Sequence, residues 1–195
     1  MKTTRGKPHK NIVQDGDPVL RCVAQPVPEK LFGSSELSRL IAEMAEALET
    51  EPDGVALAAP QVGISWQLFI VRTDRTLPLK PAAFEAAGSG EFSEKPKVLA
   101  PKIDVYINPE IIRRSRKKQE SDEGCLSVRG FYGRTRRHER VTLRARREDG
   151  SRFERGAGGI LAQIFEHEMD HLNGILFTDH ATDVFKLKPH TNETD

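Results

Sequence analysis

The stretch Glu166-His167-Glu168-Met169-Asp170-His171-Leu172 sets two imidazoles and a carboxylate at a spacing that can do metal chemistry. On an α-helix, side chains four apart lie one turn above each other, so His167 and His171 can offer nitrogens to one ion while Glu168 stands beside it. A carboxylate so placed can take a proton from water activated by the metal, which makes a metal-dependent hydrolase the first expectation. A random chain of this composition contains the pattern with a probability of roughly 1–2 per cent. The plain alternative is a pair of buried histidines bonded to backbone.

Two ligands do not complete a catalytic site, which typically takes three protein donors and leaves one position for water. The leading candidate for the third is Cys125, in Glu123-Gly124-Cys125-Leu126-Ser127. A lone thiol in a reducing compartment can bind as thiolate, and Gly124 lets the chain bend sharply beside it. A zinc endopeptidase would instead draw its third ligand from a downstream Glu or His; His180 follows His171 at neither spacing familiar from such enzymes. A protein in which the metal or cleft serves structure or binding is a rival from another class.

The elements that must position these groups can be read from periodicity. Leu37, Leu40, Ile41, Met44 and Leu48 recur at helical spacing from Ser35 to about Glu49, with Ser34 or Ser35 as the N-cap, and predict an amphipathic core helix. The small residues from Asp53 to Gly63 read as a loop, Gln67 to Arg72 as a buried strand, and the Pro, Gly, Ala and Ser-rich stretch at about 77–101 as a loop insertion. Strand character returns at Ile103 to Ile107 and at Val141 to Arg146, and Asp149-Gly150 turns back into Arg152 to Arg155. The last strong element starts near Gly158-Gly159, carries the metal motif, and stops at Asn173-Gly174. Ile160 and Ile164 continue the stripe of His167 and His171, so the ligands should face inward. From Phe177 the chain reads as a short irregular C-terminal tail. The fold expected is α+β: antiparallel β-sheets packed around a central metal-binding helix, plus the N-terminal amphipathic helix.

Composition narrows the function classes. A chain of 195 residues fits one domain, here residues 1–195. With Lys+Arg 30 against Asp+Glu 29, the overall charge offers no argument for nucleic acid or an anionic membrane. The run Arg113-Arg114-Ser115-Arg116-Lys117-Lys118 and the arginines from Arg134 to Arg147 read as solvated strand faces or turns, so no direct sequence-specific nucleic-acid binding is expected. Cys22 and Cys125 lie far apart and make no disulfide framework. With no apolar run long enough to span a bilayer, a cytoplasmic location is expected.

Three segments, in order Gly54-Val55-Ala56-Leu57-Ala58-Ala59-Pro60-Gln61, Glu123-Gly124-Cys125-Leu126-Ser127 and Glu166-His167-Glu168-Met169-Asp170-His171-Leu172, give the chain its resemblance to the peptide deformylases, over roughly Asp17 to Asp179. The resemblance implies removal of the N-formyl group from formyl-methionine at the N-terminus of newly made polypeptides, with release of formate. It implies Cys125, His167 and His171 as metal ligands, Glu168 as general base, and Gln61 with the backbone N–H of Leu126 as donors to the oxyanion. One divalent ion is expected, Fe2+ first, with Zn2+, Ni2+ or Co2+ acceptable to the same donors. Gly54, Val55, Ala56 and Leu57 would pair with the extended peptide, and Leu126, Ile164 and His167 would line the methionine pocket. Glu123, Arg137 and Asp170 would orient the ligands through hydrogen bonds. Formylmethionyl nascent peptides are then the partners, with transient ribosome contact but without a basic C-terminal docking helix. The chain also departs from the pattern. Ala56 stands where a glycine is usual, which could narrow the entrance and reduce activity, and Glu166 stands where glutamine is common, on a side expected to face away from the site.

Overall fold

The helical spacing of Leu37, Leu40, Ile41, Met44 and Leu48 does form a helix, α1 (Ser35–Glu49), in the computed structural model, which describes residues 11–76 and 102–186. Ser34 caps it by accepting a hydrogen bond from the Leu37 N–H at 3.2 Å. The expected insertion at 77–101 and the end of the tail lie outside the described residues. After α1 come β1 (Ala56–Ala58), β2 (Leu68–Arg72) and the single turn α2 (Thr73–Thr76). Then follow β3 (Ile103–Arg114), β4 (Lys118–Cys125), β5 (Val128–His138), β6 (Arg140–Arg146), β7 (Arg152–Gly158), α3 (Ile160–Leu172) and β8 (Thr182–Lys186). The strands build a five-stranded sheet in the order β1-β2-β3-β6-β7 and a three-stranded sheet β4-β5-β8, all neighbours antiparallel. The α+β expectation is borne out. Among the described residues, no helix is long and apolar enough to cross a membrane.

The alternation of side chains along a strand explains why β2 reads as an unbroken apolar run. Leu68 and Ile70 join α1 in one core, whereas Phe69 and Val71 join α3 in a second, so both faces of β2 are covered. On the α3 side, Phe69 stacks on Tyr106 at 4.8 Å, and Phe165 of α3 meets Tyr106 edge-on at 5.0 Å between ring centroids. These rings press the metal-motif helix onto the sheet.

Strands β3 to β6 form one long bent ribbon. Its pairing runs from Ile107↔Arg146 to Arg114↔Val141, crosses the bend through the Ser115 N–H to Arg140 O and Glu139 N–H to Lys117 O bonds, and continues from Lys118↔His138 to Cys125↔Val128. The tip is the two-residue turn Leu126-Ser127, which places Cys125 at the end of a lever anchored in both sheets.

Several expectations are corrected here. Strand β3 extends to Arg114, and β4 and β5 were not expected as strands; Lys118 to Cys125 contains no apolar residue before its last position, so no apolar alternation marks it. The basic run from Arg113 keeps its expected character: its cations are exposed, at the end of β3, in the bend and at the start of β4, with Arg114 beside Glu166 at 3.4 Å and Lys117 on Glu139 at 2.6 Å. The segment after α3, read as irregular, adds β8 to the edge of β5 through Phe131↔Lys186 and Tyr132↔Phe185; backbone pairing needs no apolar pattern, and its side chains are exposed. Asn173-Gly174 does end α3. Gly174 has φ +73, and the Ile175 N–H returns to Asp170 O at 2.9 Å.

Truncating the ring at the centre of this packing is expected to cost about 3–5 kcal/mol, the usual range for a buried Phe→Ala change. Chemical denaturation of Phe69→Ala measures it, and a loss below about 1 kcal/mol would contradict the two-core packing.

Candidate active site

Helix α3 forms the floor of a cleft of about 370 Å³, with Ile160, Ile164, His167 and Glu168 turned into it. One wall is the segment Gly54-Val55-Ala56 with Gln61, and the other is the end of β4, Glu123-Gly124-Cys125, with Leu126. Gly124 makes room for a neighbouring ring: a Cβ there would lie 2.7 Å from Tyr132 and would displace it. The mouth is tied across by Arg129, whose guanidinium forks onto both oxygens of Glu51 at 2.6 and 2.9 Å. That bond holds the Glu51 carboxyl below its usual range. Arg75 fixes the same loop by donating to the Glu51 and Gly54 carbonyls at 2.8 and 2.7 Å.

The ribbon tip brings Cys125 to the helix. The donor atoms of Cys125, His167 and His171 lie within 4.8 Å of one another, with Cys125 Sγ 3.2 Å from His171 Nε2. Burial pushes the Cys125 thiol up, but His171 and His167 pull it down more strongly, to about 5, so it is a thiolate at neutral pH. Glu123 Oε2 lies 3.2 Å from His167 Nδ1, which leaves His167 Nε2 free to face the thiolate side. A soft thiolate and two imidazoles, gathered this closely, fit a divalent transition-metal ion.

Glu123 is itself held by a buried fork. Arg137 donates to its two oxygens at 2.7 and 2.8 Å and, through Nη1, to Asp170 at 2.7 Å. Burial alone would raise the Glu123 carboxyl; hydrogen bonds from Arg137 and His167 outweigh it and hold the group far below the usual carboxylate range. Glu168 is the opposite case. Burial raises it to about 7 against the pull of His167 and His171, and its Oε2 has no hydrogen-bond partner among the described residues. A carboxyl that titrates near neutrality with a free oxygen in the cleft can pass a proton in either direction.

Gln61 is aimed by its own backbone neighbourhood. The Ala58 N–H donates to its Oε1 at 2.8 Å, so the amide NH2 must point the other way, 3.2 Å from Ser127 Oγ and 3.7 Å from Cys125 Sγ. The Ser127 N–H in turn donates to Cys125 Sγ at 3.4 Å.

Of the residues singled out in the sequence, Gly54, Val55, Ala56, Gln61, Glu123, Cys125, Leu126, Ile164, His167 and Glu168 line this cleft. His171, Arg137 and Asp170 stand directly behind it. The side chain of Leu57 does not line it: alternation along β1 turns that side chain, fully buried, into the core under α1. Ala56 is 7% exposed and shares the other core with Ile164, so its methyl thickens the cleft wall from within. His180 sits 3.6 Å from Asp170 and is not part of the cluster of Cys125, His167 and His171. Sequence reasoning missed Ser127 and Gln163, whose amide donates to the Asp122 carbonyl at 3.0 Å; its place four residues before His167 was the available signal. It also missed that Glu166, turned away from the cleft as expected, is buried on His138.

Breaking the fork from the arginine side strands a buried carboxylate, a change that typically costs about 3–5 kcal/mol. Arg137→Met is expected to lose that much in denaturant unfolding at neutral pH, and near-wild-type stability would mean that Glu123 is not held as described.

A family model described as polypeptide deformylase matches residues 9–186 of the chain. Peptide deformylase 2 of Pseudomonas syringae pv. tomato is 37% identical over 178 residues, 91% of this chain and 90% of that protein. An actinonin-bound class I type b peptide deformylase from Acinetobacter baumannii superposes with a TM-score of 0.72 at 30% identity, covering 91% of this chain and all of that one. The Met-Ala-Ser-bound structure of the same Acinetobacter protein gives 0.70 at 30% identity, over 87% and 96% of the two chains.

Proposed function

Since the chain belongs to the peptide deformylase family, we propose that it removes the formyl group from the N-terminal methionine of newly made polypeptides, releasing formate, with Cys125, His167 and His171 as metal ligands. The observation that carries this reading is the convergence of a thiolate, two imidazoles, a carboxyl titrating near 7 and an aimed amide on one cleft. The endopeptidase alternative finds no support, as the third member of the cluster is Cys125 and the relatives are deformylases.

A peptide reaches these groups along β1. Among the described residues that strand pairs with β2 on one side only, so its other edge can take an extended chain by backbone hydrogen bonds beside Gly54, Val55 and Ala56. Leu126 and Ile164 offer apolar surface to the methionine side chain. When bound, the ion supplies Lewis acidity that makes water nucleophilic near neutral pH and polarises the carbonyl. The Gln61 NH2, with the N–H of Leu126 in the ribbon turn, donates to the formyl oxygen as negative charge grows on it. Glu168 takes the proton of the attacking water at its free oxygen and hands it to the departing amine. Glu123, Arg137 and Asp170 hold the geometry. Fe2+ is the ion we assign, on the family resemblance; the same donors would accept Zn2+, Ni2+ or Co2+. Residues 1–195 act as one catalytic domain, in the cytoplasm, with transient ribosome contact giving access to nascent chains.

Formate release from formyl-Met-Ala-Ser by iron-loaded protein, prepared without oxygen, tests the activity. Glu168→Gln should lower kcat by at least about 10²-fold, the lower range for a lost general base, while bound metal stays at wild-type level. Full metal occupancy without formate would overturn the enzyme reading, and undiminished turnover by Glu168→Gln would overturn the role of Glu168.

A further inference from the structure

Glu166 is 8% exposed and lies on the side of α3 turned away from the cleft. Its Oε2 accepts the His138 backbone N–H at 2.8 Å, its Oε1 lies 2.7 Å from His138 Nδ1, and Arg114 stands 3.4 Å away. Asp170, one turn further along α3, meets Arg137 of the same ribbon at 2.7 Å. Glu166 and Asp170 are each one residue before a ligand, His167 and His171. They therefore form a stripe parallel to the ligand pair, rotated from it by about 100° around the helix axis. Neighbouring ribbon residues, 137 and 138, grip that stripe at both ends.

The two histidines differ in what else holds them. His167 has its own orienting partner in Glu123, at 3.2 Å. His171 has none, since its Nδ1 is buried without a hydrogen-bond partner among the described residues. The aim of its ring thus follows the rotational setting of the helix. At a side-chain radius of roughly 5–6 Å, a 10° rotation moves a ligand nitrogen by about 1 Å. Metal bonds tolerate about 0.2 Å.

We propose that Glu166 is a positioning residue for the metal centre, holding through His138 the rotation of α3 that aims His171 toward Cys125. The proposal rests on the reading of Cys125, His167 and His171 as ligands. It assigns to the exposed end of the ribbon, the bend at Arg114 and His138, a part in setting the same site that the ribbon tip supplies with its thiolate. It also gives the glutamate at this position a reason. A carboxylate accepts from both the N–H and the ring of His138, and a glutamine can replace it by accepting from the N–H and donating to a neutral ring.

Protein loaded with Co2+ alone provides the test, through the visible d–d absorption and the rate at which a chelator removes the ion. Glu166→Ala should release Co2+ about tenfold faster than wild type, the lower range for loss of a group that orients a ligand, with an altered band shape. Glu166→Gln should restore both. His138→Ala, which keeps the backbone bond and loses the ring, should fall between, and carries the test if Glu166→Ala does not fold. A lowered melting temperature with unchanged band shape and release rate in Glu166→Ala or His138→Ala would reduce Glu166 to a structural ion pair and overturn the proposal. Wild-type Co2+ binding by His171→Ala would instead overturn the ligand assignment beneath it.

Discussion

The Arg137 guanidinium, shared between Glu123 and Asp170 and almost wholly buried, is the interaction on which the arrangement of the site depends. Three charges withdrawn from water are costly unless each is met, and a planar five-donor fork meets two carboxylates where a point charge could not. The fork joins a strand to a helix that has no sequence connection to it. Through Glu123 it reaches His167; through Asp170 it reaches the turn of helix that ends in His171. Cys125, two residues beyond Glu123 on the same strand, is placed by the same anchor.

That anchor explains what the sequence hides. Helices α1 and α3 and strands β2 and β6 are legible because their buried faces are apolar: Leu37 to Leu48, Phe165, the run Leu68 to Val71, and the alternation Val141, Leu143, Ala145. Strands β4 and β5 turn Glu123, Thr135 and Arg137 inward, so the residues that a periodicity argument would take for solvent-facing are the buried ones. Polar pairing replaces apolar pairing because the inner face of this sheet meets the carboxylates and imidazoles of α3. The signal of a strand was lost where the strand faces the candidate site.

The candidate site was more legible than the strands that carry it. Metal ligation restricts residue type and spacing, and His167, Glu168 and His171 sit on one helix whose geometry is known in advance. Cys125 could be ranked from its chemistry, but its arrival at the helix depends on the ribbon, which no local pattern announced. The orientation of Gln61 was beyond reach for a similar reason, because it is set by the Ala58 N–H within a turn that read as loop. The short strand β1 was not recognised, and with it the alternation that sends the side chains of 56 and 58 one way and that of 57 the other.

The division of labour between the two sheets follows from these facts. The five-stranded sheet carries the apolar cores and fixes α3 against translation through Phe69, Tyr106 and Phe165. Apolar contact is non-directional, however, and leaves a helix free to settle at whichever rotation packs best. Directional bonds from the second sheet, at Arg137 and His138, select one rotation. A metal centre needs both: burial strong enough to hold the helix, and hydrogen bonds short enough to aim it. On one face of α3, where aim matters, Glu166 and Asp170 meet His138 and Arg137, while Phe165 packs another face against the rings of Phe69 and Tyr106.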